Sequence, residues 1–180
     1  KEIFVLVAGI PCQAYSTVGR AQDKNSMRFD KRNYLYKSLL KYISFFNPKV
    51  VLIENVSGML SAKPNGKLIL DDIFSSLEDL GYNIFKDKKK ILLNSAEYGV
   101  PQTRKRVIIF AIKKTVKIKS ETFYTNLNKT HYLPQSEKKS LNKYVTVREA
   151  IGDLPKLFPG EGNEVIKNFN PKLNRYTSKL

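Results

Sequence analysis

A chain of 180 residues suffices for one compact domain, or for one domain with a tail, and not for two large ones. Hydrophobic residues at 42% and charged residues at 27% exclude a wholly disordered chain, and no apolar run approaches the roughly 20 residues of a membrane span. One cysteine, Cys12, and one histidine, His131, exclude a disulfide framework and a Cys/His metal cluster, while 32 Lys and Arg against 16 Asp and Glu leave a net charge of +16. That excess favours a polyanionic partner, because cations bound along phosphates release condensed counterions. A lysine-rich composition spread over the chain is the competing reading.

In chain order, residues 3–8 (IFVLVA) form a continuous apolar run, the pattern of a strand buried on both faces of a parallel sheet. A polar loop follows to about Arg32. Leu35, Leu39, Leu40, Ile43 and Phe46 then recur at helical spacing, so residues 33–46 read as an amphipathic helix ended by Asn47-Pro48. Residues 49–53 (KVVLI) read as a second buried strand. Strand, helix, strand is a βαβ unit and calls for a right-handed parallel crossover. A helix fits residues 68–80, closed by Gly81, and residues 82–93 and 106–112 read as two more strands.

Residues 113–143 are lysine-rich with weak periodicity, which suggests a long surface excursion. Residues 146–151 read as a short helix, with Thr146 and Glu149 at capping-box spacing. Beyond Leu154, the prolines and glycines suggest an exit linker. The expected division is a catalytic half over 1–113, a basic excursion with a short helix over 114–155, and a linker over 156–180. The chain opens on Lys1, enters a strand at once and stops in a polar stretch, which reads as an internal piece of a longer protein.

Open α/β sheets bind ligands beyond the carboxyl ends of their strands. The first strand runs into Pro11-Cys12-Gln13-Ala14-Tyr15-Ser16 and the second into Glu54-Asn55-Val56, so parallel strands bring Cys12 and Glu54 to one edge. A thiolate that attacks an electrophilic carbon beside an acid that supports the substrate is a coherent pair. Cys12 also reads as a small buried hydrophobe, Glu54 as a surface carboxylate and Asn55 as a cap. Further on, Gln102, Arg104 and Arg106 alternate. If extended, they share a face suited to a phosphate or a base edge, and otherwise they are a solvated strand entry.

Pro11-Cys12-Gln13-x-Tyr15-Ser16, Asp30-x-Arg32-x-x-Leu35, Glu54-Asn55-Val56 and Gln102-x-Arg104-x-Arg106, in this order, resemble the cytosine-C5 DNA methyltransferases. Asn94-x-x-x-Tyr98-Gly99-Val100-Pro101 before the arginines, and residues 147–155, are similar to that family as well. The resemblance is dense over residues 3–113 and thin to about 155. It implies an open, doubly wound, mostly parallel Rossmann-like sheet of the S-adenosyl-methionine-dependent type, here incomplete at its N-terminal side.

It also implies that Cys12 adds to C6 of a flipped-out cytosine, that Glu54 contacts N3, and that C5 takes the methyl group of S-adenosyl-methionine. Arg106 would hold the base, with Arg104 and Gln102 in support. Gln13 and Ser16 would lie in a loop that closes over double-stranded DNA, Asn55 and Val56 beside the substrate, and Pro11 and Leu35 along the cofactor. No metal is implied.

Departures accompany the match. The family's Phe-x-Gly-x-Gly cofactor turn and its closing motifs have no counterpart in this chain. A missing N-terminal cofactor-binding portion is therefore expected as a partner, with the chain inactive alone. Methylation of tRNA cytosine and a silent DNA-binding remnant are the alternatives. A cytoplasmic, bacterial or phage-encoded protein, of the kind found in restriction-modification, is the matching setting. Residues 86–90 and 113–119 read as solvated lysine faces or as DNA-tracking patches.

Overall fold

A computed structural model of the chain describes residues 4–11, 15, 21, 30–64, 66–133 and 140–162. They divide into two units, the first comprising Lys1–Leu93 with Lys105–Asn128 and the second Asn94–Arg104 with Lys129–Leu180. No helix among the described residues is long and apolar enough to cross a membrane.

The first unit is α/β. Strand β1 (Val5–Gly9) leads through a 3-10 turn at Lys31–Tyr34 into helix α1 (Tyr36–Phe46), and β2 (Val50–Val56) follows. Helix α1 stops where Asn47 turns left-handed (φ 46°) ahead of Pro48, its N–H still bonded to the Ile43 carbonyl at 2.9 Å. Helix α2 (Ile69–Asp79) buries Ile69, Leu70, Ile73, Phe74 and Leu77, one stripe at helical period. Each such side chain contributes about 1.5–3 kcal/mol on leaving water. Asp71 and Asp72 in its first turn suit the positive end of the helix dipole. Its other end closes at Gly81 (φ 84°), and Lys113 Nζ donates to the Leu80 carbonyl at 2.7 Å.

Strands β3 (Tyr82–Ile84), β4 (Leu92–Asn94) and β5 (Lys105–Lys113) complete the sheet, in the order β1-β2-β5-β3 with β4 also on β5. In this sheet β1 and β2 pair in parallel. Both β2 with β5 and β3 with β5 are antiparallel, so the mostly parallel sheet that was expected is a mixed one. Strand β5 arrives by a short connection from β4 and runs back between β2 and β3, a path that needs no crossover helix.

Two further expectations are corrected. Strand β1 is not buried on both faces: Val5 and Val7 are exposed, because the core packs on the opposite face, the side of Leu6. Residues 82–93 are not one strand. Asp87 breaks them, its side chain accepting from the N–H groups of Lys89 and Lys90 and its carbonyl from that of Ile91.

The gap this break leaves along β5 is filled from helix α3 (Glu121–Thr125), inside the stretch expected to be an irregular excursion. The Tyr124 hydroxyl accepts from the Phe110 N–H at 2.9 Å and donates to the Ile108 carbonyl at 2.8 Å, standing in for strand backbone. Burial pushes this phenol up to about 12, so it is a neutral donor at any working pH. Phe123 stacks on Phe110 at 4.5 Å between ring centroids. Tyr124→Phe keeps the packing and orphans the Phe110 N–H. It should destabilise the chain by about 1–3 kcal/mol in urea unfolding, and a loss under about 0.3 kcal/mol would show the bond to be dispensable.

In the second unit, β6 (His131–Tyr132) pairs in parallel with β7 (Asn142–Lys143). Helix α4 (Val147–Ile151) follows, capped by Thr146 with Glu149 in the expected capping box.

Candidate active site

Strand β2 carries the centre of the site. It runs through Glu54, Asn55 and Val56 rather than ending before them, and the period of two sends neighbouring side chains to opposite faces. Asn55 faces the core with Ile53 and Val107 and is 1% exposed. Its Nδ2 donates to the Ile10 carbonyl at 3.2 Å, and its Oδ1 accepts from the Val56 N–H at 2.8 Å. The side chain expected beside the substrate thus ties the end of β1 to β2.

Glu54 and Val56 take the other face. In the register, Glu54 stands opposite Ile108 and Val56 opposite Arg106, so Glu54 and Arg106 are diagonal neighbours on one face. Long side chains span that diagonal: Arg106 Nε reaches Glu54 Oε1 at 2.8 Å. Both are partly exposed, Arg106 by 25% and Glu54 by 37%, so the pair stands at the protein surface and open to a ligand. Gly9, the last residue of β1, lies beside Glu54 in the parallel register, and a Cβ there would sit 3.8 Å from Glu54 Oε2. The exposed Val5 and Val7 continue along this same face of β1.

Cys12, Gln13 and Ser16 lie outside the described residues. Pro11, one residue before Cys12 in the chain, is described and exposed at the carboxyl end of β1. Leu35 is also exposed, at the head of α1. There Asp30 accepts from the Arg32 N–H at 2.8 Å and from Arg32 Nε at 2.9 Å. The guanidinium hydrogen bond holds the Asp30 carboxyl below the usual carboxylate range.

Gln102 and Arg104 belong to the second unit, and Arg106 to the first. Regular strand begins only at Lys105, so the expected alternation from Gln102 to Arg106 is not one continuous strand. The Gln102–Arg104 segment is tied to its own turn, Ser95 Oγ donating to the Gln102 carbonyl at 2.6 Å and the Ser95 N–H to the Arg104 carbonyl at 3.0 Å. Gln102 and Arg104 are both exposed. In the same unit Gly99 is left-handed (φ 89°), and a Cβ on it would lie 2.8 Å from the His131 ring, so only glycine fits. Packing against this turn gives His131 a structural role.

The lysine runs are bound largely to their own fold. Lys86 pairs with Glu78 at 2.8 Å, Lys88 with Asp71 at 3.4 Å, and Lys90 lies over the Phe85 ring. Lys113 caps α2 and covers the Tyr82 ring, and its N–H bonds the Lys49 carbonyl just before β2, at the opposite end of that strand from Glu54.

A carboxylate and a guanidinium held together on one face of a sheet, near the end of a strand, can receive a planar ligand that has both an acceptor and a donor edge. A family model described as C-5 cytosine-specific DNA methylase matches residues 1–178. The type II methyltransferase M.Bpa9945I of Bacillus paralicheniformis is 35% identical over 165 residues, covering 89% of this chain and 34% of that protein. M.DdeI of Desulfomicrobium norvegicum is 34% identical over 161 residues, again 89% of this chain and 34% of its own. Among solved structures, an E. coli prophage protein described as a DNA modification methyltransferase superposes with a TM-score of 0.57 at 26% identity, covering 87% of this chain and 36% of that one. The chain thus spans about a third of the length of these curated relatives.

Proposed function

The chain belongs to the C-5 cytosine-specific DNA methylase family, and from that premise we propose that the protein is a DNA (cytosine-5-)-methyltransferase of a restriction-modification type. The observation that carries the reading is the Glu54–Arg106 pair, fixed on one face where β2 ends beside Gly9. Double-stranded DNA is the substrate, and the net charge of +16 supports its capture. The residues 1–113 form the catalytic portion, and the chain beyond 155 leads toward a region that reads the target sequence.

Cytosine C5 is a poor nucleophile until something adds at C6. In this reading the Cys12 thiolate makes that bond, which turns one hard step into easier ones. Glu54 holds a proton at N3 while electron density moves into the ring, and Arg106 binds the ring carbonyl. Loss of the C5 proton and departure of the thiolate restore the aromatic base. The target is reached by flipping, since these ring atoms are closed off inside a duplex. Asn55 acts from beneath by holding the Ile10 carbonyl, while Gln13, Ser16, Gln102 and Arg104 contact the DNA.

S-adenosyl-methionine supplies an electrophilic methyl group when bound. Pro11 and Leu35 fit it as apolar, exposed residues at the end of β1 and the head of α1, a suitable wall for an adenosyl group. The rest of the pocket comes from an N-terminal portion of the same protein, set against β1. The exposed Val5 and Val7 support this, as does the third of the relatives' length that the chain spans. The chain alone then has the residues for covalent chemistry and an incomplete cofactor site.

Nucleoside analysis after incubation with S-adenosyl-methionine and either duplex DNA or tRNA tests the reading. The full-length protein should yield 5-methyl-2′-deoxycytidine, and this chain alone should yield none. Methylated ribocytidine would transfer the reading to tRNA. Methyl transfer by the chain alone would remove the need for the N-terminal portion.

A further inference from the structure

Ser95 is tied to the segment from Val100 to Arg104 through its side chain, its N–H and its carbonyl, and the reading above gives it no part. It opens the 3-10 turn Ser95–Tyr98. Its Oγ donates to the Gln102 carbonyl at 2.6 Å, and its N–H donates to the Arg104 carbonyl at 3.0 Å. Its own carbonyl accepts from the Val100 N–H at 3.3 Å. Gln102 and Arg104 are both exposed, so a single partly buried serine orients the backbone at two exposed polar residues.

The turn that carries Ser95 is itself held. The Asn94 side chain caps it by accepting from the Ala96 N–H at 3.4 Å. The Thr130 N–H donates to the Glu97 carbonyl at 3.0 Å, Lys129 pairs with the Glu97 carboxylate at 2.9 Å, and the His131 ring lies against Gly99. A segment fastened to a braced turn has less freedom left to lose when a ligand meets it.

We propose that Ser95 is a positioning residue for DNA binding, its hydroxyl holding the Gln102–Arg104 segment in the arrangement that meets the sugar-phosphate backbone. This role rests on the DNA contact assigned to Gln102 and Arg104. Without the hydroxyl the segment samples more arrangements, and ordering it then opposes binding.

The test is equilibrium binding of mixed-sequence duplex DNA to the full-length protein, by filter retention at fixed salt. Ser95→Ala should weaken binding about fivefold, the ratio equivalent to about 1 kcal/mol of lost hydrogen bonding. Ser95→Thr keeps the hydroxyl and should stay within about twofold of wild type. In a Gln102→Ala, Arg104→Ala background, Ser95→Ala should change affinity by less than about 1.5-fold, because its effect passes through those side chains. Wild-type affinity in Ser95→Ala would overturn the role. So would an equally large loss in the double-alanine background, since that marks a general loosening of the fold. Unchanged binding by the Gln102→Ala, Arg104→Ala protein would instead sink the DNA contact assigned to those two residues, and the role of Ser95 with it.

Discussion

Replacing Cys12 with alanine should lower methyl transfer by about 10^4-fold or more, equivalent to about 5.5 kcal/mol of transition-state stabilisation. Without addition at C6, C5 remains too weak a nucleophile, and nothing else in the Pro11–Ser16 motif can take the thiol's place. DNA affinity should stay within about twofold, because phosphate contacts by cationic side chains set it. Cys12→Ser is the companion variant: a hydroxyl ionises far less readily than a thiol and should be almost as inactive. Steady-state kinetics with a filter-binding assay would separate the two quantities. Joint loss of activity and affinity would place Cys12 in DNA binding rather than in bond formation. An unchanged rate would remove covalent catalysis from the account.

Glu54→Gln should reduce turnover by about 10^2- to 10^3-fold, since an amide keeps the shape of the carboxyl and cannot move a proton. It also removes the negative partner of Arg106. The 2.8 Å pair is partly exposed, so its loss should cost under about 1 kcal/mol of stability. These two magnitudes decide the assignment. A large fall in turnover with a small fall in melting temperature places Glu54 in the chemistry. A turnover loss of tenfold or less, accompanied by unfolding, would leave the pair a structural brace. Arg106→Ala should weaken activity by removing the guanidinium from the face that Glu54 shares.

Much of this architecture could be read from the residues because it is set by local pattern. The stripe from Ile69 to Leu77, the turn at Asn47-Pro48 and the Thr146 and Glu149 capping box all rest on periods and caps within a few residues. Local pattern predicts a common edge for Cys12 and Glu54 and says nothing of the Glu54–Arg106 pair. Its geometry depends on β2 running to Val56 and on the antiparallel register with β5, which no local stretch encodes.

The misses have long-range causes. An apolar run such as that of β1 cannot show whether both of its faces are covered, because that depends on what packs on them. The break between β3 and β4 is made by Asp87 and stabilised by a hydroxyl from Tyr124, well beyond any sequence window. The family resemblance sets Asn55 beside the substrate. In a strand, though, neighbours in sequence face opposite sides, and the extension of β2 through the tripeptide turned it inward.

The most direct measurement is intact-mass analysis of the full-length protein after incubation with S-adenosyl-methionine and duplex DNA containing 5-fluorocytosine. Fluorine cannot leave C5 as a proton does, so a methylating enzyme stays bonded to its base. The account predicts a cofactor-dependent adduct that maps to Cys12 and is absent from Cys12→Ala. Catalysis without any adduct, or an adduct carried by another residue, would contradict it.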